Sequence, residues 1–251
     1  MKSTFPTIAL FAALAAPAAG QDAAAFVARG DALMGRMRTE AAIAAYREGL
    51  TEHPDHPELL WRTSRALGNL AEETPGESGD EVRHVEAVRL ARRAVAADAG
   101  DARAQATLAA AVGKLALHRG GRRKVELARE VHETAARAIA LDPADFGGFA
   151  VLGVWNREVA TLNPILRALA RTLLGGLPDA SVGRSQALLE RAVRIEPGAI
   201  PLRYELARTL VETGQEARAR AELRRALELT PREGLDRVYQ EKARLLLAQL
   251  E

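Results

Sequence analysis

The chain is 251 residues long and 48% hydrophobic but only 4% aromatic, with no cysteine and a net charge of +2 from 35 Lys and Arg against 33 Asp and Glu. The missing cysteine excludes a disulfide framework, a thiol nucleophile and a Cys-based metal site, and the near-balanced charge gives no electrostatic case for nucleic acid. A core rich in Ala and Leu and poor in rings suits close-packed helices better than a sandwich or barrel.

The N-terminus is read separately. Lys2 is followed by an apolar run from Phe5 to Ala16, then by small residues around Ala18 and Gly20, the order of a cleavable secretory leader. The run is short for a membrane span, and no cysteine follows it to carry a lipid. Residues 1–20 are therefore expected to be a signal peptide and 21–251 the mature domain. The Ala-, Arg- and Gly-rich composition points to a GC-rich bacterial genome, which makes the periplasm the expected location.

From there the sequence predicts helical hairpins in succession. The first opens near Gln21, with Gly30 as the small residue of its first helix, Ala42, Tyr46 and Gly49 on its second, and Pro54 closing it. The second starts at Pro57 with Leu60-Trp61-Arg62, passes a polar loop over 72–80, and resumes over 86–97, where Ala87, Ala91 and Ala94 form the packing face. The third runs from Ala102 through Leu108-Ala109, breaks at His118-Arg119-Gly120-Gly121, and resumes to Pro143. The fourth opens with Phe149 to Gly153, departs from the pattern, and returns at Ser185, Leu189, Ala192 and Pro197. The fifth has Leu206-Ala207 and Leu210 before a turn at Gly214, then Ala219, Leu223 and Ala226 before Pro231. Residues 235–250, rich in Leu, predict a helix that caps the last hairpin.

The fifth unit resembles the 34-residue tetratricopeptide pattern of helix, Gly turn, helix and closing Pro. Closing positions at 54, 99, 143, 197 and 231 are spaced 45, 44, 54 and 34 apart, so three units carry insertions between their two helices. The expected fold is all-α: a tetratricopeptide-like helical-hairpin solenoid of about five repeats with insertions, plus a C-terminal capping helix.

Two stretches carry a more particular resemblance. Leu60-Trp61-Arg62 with Arg65-Ala66 is one. The other runs from Ala140-Leu141-Asp142-Pro143 through Leu152-Gly153-Val154-Trp155 to Leu173-Leu174-Gly175-Gly176-Leu177-Pro178. Both resemble the regulator of microtubule dynamics family, over roughly residues 40–230. Animal members of that family associate with microtubules and mitochondria through anchors or targeting segments, and here a leader-like segment stands in the anchor's place. The resemblance implies an all-helical, non-catalytic repeat domain with a concave face.

Mapping the contact points of peptide-binding repeats onto the first helix of each pair selects Trp61, Arg62, Arg65, Asn69, Arg103, Lys114, Arg157, Tyr204 and Arg208. Arg62, Arg65 and Arg103 would repel one another unless an anion or internal carboxylates neutralised them. The expected occupant is a protein or peptide segment, held best if acidic, because the guanidinium fork matches a carboxylate. The alternative is a solvated basic face paired with neighbouring Glu. Trp61 and Trp155 read more readily as packing between hairpins. The cluster His118, Arg119, Arg122, Arg123 and Lys124 lacks interleaved aromatics and reads as a solvated turn. Residues 162–174 form an amphipathic stretch, with Ile165, Leu166, Leu169, Leu173 and Leu174 on one face and Arg167 and Arg171 on the other. It is expected to pack on the solenoid, with membrane-surface or self-association of an envelope protein as the alternative.

No catalytic residue, cofactor or metal is expected. His132-Glu133 begins a zinc-protease motif, but Ala136 replaces the second His. His53 and His56 lie in an inter-repeat turn, and the glycine pairs are turn material rather than a phosphate loop.

Overall fold

The structure, a computed structural model, describes residues 22–76 and 80–251. The expected leader over 1–20 lies outside the described residues, as do 77–79 of the loop expected over 72–80. Among the described residues there are twelve helices. Five hairpins are made by α1 (Ala23–Met34) with α2 (Thr39–Glu52), α3 (Pro57–Glu73) with α4 (Asp80–Ala97), α5 (Ala102–Arg119) with α6 (Gly121–Leu141), α7 (Gly147–Ala160) with α9 (Val182–Ile195), and α10 (Ile200–Glu212) with α11 (Glu216–Glu228). Between α7 and α9 lies α8 (Pro164–Leu174), and α12 (Gly234–Leu250) ends the chain.

Local chemistry sets the helix ends. Asp101 accepts from the Arg103 and Ala104 amides at 2.8 and 3.2 Å, satisfying two donors that open α5 without an intrahelical partner. Pro57 and Pro164 occupy the first turn of α3 and α8, where a missing N–H costs nothing. Gly214 turns α10 into α11 at φ +70°, a backbone region that favours glycine.

Tight pairing within a hairpin depends on small residues. A Cβ built on Gly30 would lie 2.0 Å from the Tyr46 ring, so only glycine lets α1 and α2 approach this closely. Tyr46 is fully buried there, and its hydroxyl donates to Asp31 at 2.6 Å.

The insertions are used in different ways. The second and third hairpins lengthen their helices: α4 begins at Asp80, earlier than the 86 expected, and α5 turns into α6 directly at Gly120-Gly121. The fourth spends its insertion on α8. Apart from Ala170, α8 buries none of its residues, and the Arg129 guanidinium pins its end by donating to the Leu174 and Gly176 carbonyls.

The first helices of successive pairs lie side by side, in the order α1, α3, α5, α7 and α10. Helix α12 does more than cap the last hairpin. It packs on α10 and α11, and it also reaches α3, so that α3, α5, α7, α10 and α12 form a closed ring. The core divides accordingly: one apolar cluster runs from α1 to Trp155, and a second joins Leu189 to Ala243 of α12.

Candidate functional site: the concave cavity

The inner wall of this ring encloses a cavity of about 900 Å³, at the upper end of the ~300–1,000 Å³ typical of ligand sites. Its apolar wall comes from α5 and α7, where Ala106, Ala110, Val151, Val154 and Trp155 face inward. Ala-rich first helices leave this space open, because their side chains do not fill it.

At the α3 end the wall is charged, and the charges are already matched. Arg62 spreads its guanidinium over the Trp61 ring at 4.5 Å while donating to Asp31 at 2.6 Å and Glu58 at 2.7 Å. Arg65 donates from one nitrogen to both oxygens of Glu233, at 2.9 and 3.1 Å, and Asn69 donates to the same carboxylate at 3.3 Å. Glu72 sits between Lys114 at 2.9 Å and Lys242 at 3.1 Å. Burial alone would raise the Glu72 carboxyl, but the two ammonium groups outweigh it and bring it down to about 2. Burial raises Glu73 beside it, against the Thr39 hydroxyl and with reinforcement from the Glu233 charge. Burial, then the neighbouring His118, lowers His84, and the two imidazoles lie 5.1 Å apart on the same wall.

The structure thus gathers Trp61, Arg62, Arg65, Asn69, Arg103 and Lys114 onto one surface. Arg103 stays exposed at its rim, 3.7 Å from Asp145. Internal carboxylates neutralise Arg62 and Arg65, so the converging cations require no external anion. The other three expected residues do not line the cavity. Ala150, Val154 and Glu158 carry the α7 wall, which turns Arg157 toward α10. There it is buried against the Glu205 carboxylate at 2.5 Å, the Glu205 carbonyl at 3.0 Å and the Thr209 hydroxyl at 3.0 Å. On α10 the wall is made by Leu202 and Glu205. Tyr204 consequently stacks edge-on against Tyr239, and Arg208 reaches Glu205 at 3.5 Å and Glu158 at 3.8 Å.

Both tryptophans are buried, and Trp155 donates its indole N–H to the Ala128 carbonyl at 2.7 Å. The cationic turn is paired: Arg119 with Glu81, Arg122 and Arg123 with Glu126, and Lys124 with Glu158. No group of three or more metal-ligating His, Asp or Glu occurs among the described residues. Sequence reasoning missed Glu72, Glu233, Tyr239 and Lys242. The one local signal was the spacing of Glu233 and Asp236, which form a reciprocal capping box at the start of α12.

The family model for regulator of microtubule dynamics protein 1-3 matches residues 26–251. Regulator of microtubule dynamics protein 3 of Mus musculus is 26% identical over 184 residues, 73% of this chain and 39% of that protein. The Xenopus laevis protein of the same name is 27% identical over 146 residues, 57% of this chain and 31% of its own. The chain therefore spans well under half the length of these relatives. Among solved structures, a thermophilic TPR protein of Thermus thermophilus aligns with a TM-score of 0.62 at 20% identity, covering 89% of this chain and 100% of that one. At that identity the likeness concerns the fold, which is the tetratricopeptide-like solenoid expected from the repeat pattern.

Proposed function

This chain belongs to the regulator of microtubule dynamics family, and on that premise we propose that it is a non-enzymatic adaptor that holds a polypeptide segment in its concave cavity. The observation that carries the reading is the cavity's composition. An apolar wall of small side chains meets a charged end where Arg65, Asn69 and Lys114 already hold the carboxylates of Glu233 and Glu72. A segment bearing apolar residues and a carboxylate matches both halves. Selection of peptides from a displayed library on the full chain tests it. The selected sequences are expected to combine apolar and acidic residues, and Ala110→Trp, which fills the cavity from a half-buried position on α5, is expected to abolish their binding. Equal binding by that variant would overturn the reading.

The leader-like residues 1–20 support an exported adaptor, hence a periplasmic one. The mature protein from its native host is then expected to begin between Ala19 and Asp22, and an intact Met1 in that protein would contradict export.

A second reading rests on α8. Ile165 is 79% exposed and Leu173 36%, and the sequence from Val159 to Pro178 holds two arginines and no acid. Exposed apolar residues beside unopposed cations suit the surface of an anionic membrane. Vesicles containing phosphatidylglycerol are expected to float the protein, and Ile165→Asp to leave it in solution.

A further inference from the structure

The seam between α12 and α3 closes the ring without an apolar cluster in common. The apolar residues of α12 (Ala243, Leu246, Leu247 and Leu250) belong to the cluster built on α10 and α11, whereas those of α3 belong to the other cluster. The bonds that cross the seam are polar: Arg65 and Asn69 to Glu233, Lys242 and the Tyr239 hydroxyl to Glu72, and the Leu235 amide to Glu73. The two sides can therefore part without opening either core. The closed state also leaves one donor unmet, since the buried Arg65 Nε has no acceptor. It brings two acids together as well, Glu73 and Glu233, and a Cβ on the adjoining Gly234 would fall 2.7 Å from the Glu73 carboxyl carbon.

Glu233 is what a ligand would look like at this end of the cavity. It is a carboxylate carried on an extended residue just ahead of a helix, taken by both its oxygens. We propose that the entry to α12 is an autoinhibitory segment: Glu233 occupies from within the chain the Arg65–Asn69 site for a partner's carboxylate, and an acidic segment enters by displacing it. This rests on the groove reading above and names what regulates it. Apparent affinity falls by the fraction of molecules in which the site is open, so weakening the internal contact raises affinity with no new contact to the ligand.

The absence of cysteine allows the seam to be locked reversibly. Glu73→Cys with Gly234→Cys places a thiol on each side of it. The probe is a fluorescein-labelled peptide of alternating leucine and glutamate, with its leucine–glutamine counterpart as control, read by anisotropy. Glu233→Gln, which keeps the shape and removes the charge, is expected to bind the acidic probe about tenfold more tightly than the unmodified chain, with little change for the glutamine probe. The oxidised double-cysteine chain is expected to lose the acidic probe and regain it on reduction. Acidic-probe binding unchanged by Glu233→Gln, or by oxidation of a disulfide verified by mass, would overturn autoinhibition and leave the groove reading standing. Failure of every form, including reduced and Glu233→Gln chains of native helicity, to bind either probe would overturn both.

Discussion

Arg157 shows how far one side chain can be committed. It is 2% exposed, and its charge is met by Glu205 and Thr209 on α10. Removing one partner of such a pair leaves an uncompensated buried charge, which costs about 3–5 kcal/mol. Because Arg208 still lies 3.5 Å from Glu205, Arg157→Ala is expected at the lower limit, about 3 kcal/mol by urea denaturation. A loss under about 1 kcal/mol would mean that the pair is solvated in solution. Gly30 is committed sterically instead. Gly30→Ala puts a methyl into the Tyr46 ring and is expected to cost about 1–3 kcal/mol, since the packed pair must separate to admit it. That expectation fails if the melting temperature stays unchanged.

At the scale of an element, α8 separates what a sequence encodes locally from what it leaves to packing. Its start at Pro164, the Asn163 side chain accepting the Leu166 amide at 2.9 Å, and the left-handed Gly175 at its end are all short-range chemistry, legible in order along the chain. Its burial is not. Five apolar side chains were expected on one packed face, but only Leu166, Leu169 and Leu174 are half-buried, while Ile165 points into solvent. Which part of a wide apolar arc meets α6 depends on how the helix is rolled, and a single element does not contain that information. Burial makes a contrasting pair of expectations: Ile165→Asp changes stability by less than about 0.5 kcal/mol, whereas Ala170→Asp costs about 2 kcal/mol or more by burying an unpartnered carboxylate. Equal thermal shifts for the two would show that α8 is not docked as described.

For the whole molecule, the hairpin order was legible because the repeats carry small-residue punctuation and, in four of the five, a closing proline, as at Gly30, Gly214 and Pro231. The ring was not. Arg65 and Glu233 are 168 positions apart, and their meeting depends on curvature accumulated over every intervening hairpin. Nearby acids hid in the same way: Glu58 lies one turn from Arg62, yet Asp31 and Glu72 find their cations only across helices.

This closure has an acid limit, set mainly by Glu72. Its carboxyl, ordinarily at 4.5, is buried but held at about 2 by Lys114 and Lys242. A depressed carboxylate stabilises the fold fully above pH 4.5, and that contribution disappears as pH falls toward about 2. For a shift of this size the contribution is on the order of 3 kcal/mol. Glu73 works in the opposite sense, because burial and Glu233 disfavour its charged form, so its protonation offsets part of the loss. Burial lowers His84, which therefore charges at a cost as pH falls below the ordinary imidazole range, ahead of the Glu72 window. Denaturant unfolding of the full chain between about pH 5 and 3 is expected to show a marked fall in stability. Glu72→Gln, less stable than the parent at neutral pH because two ammonium groups lose their carboxylate, is expected to show a much shallower fall. The same slope in both chains would assign the acid sensitivity to other carboxylates and remove Glu72 as the centre of the seam.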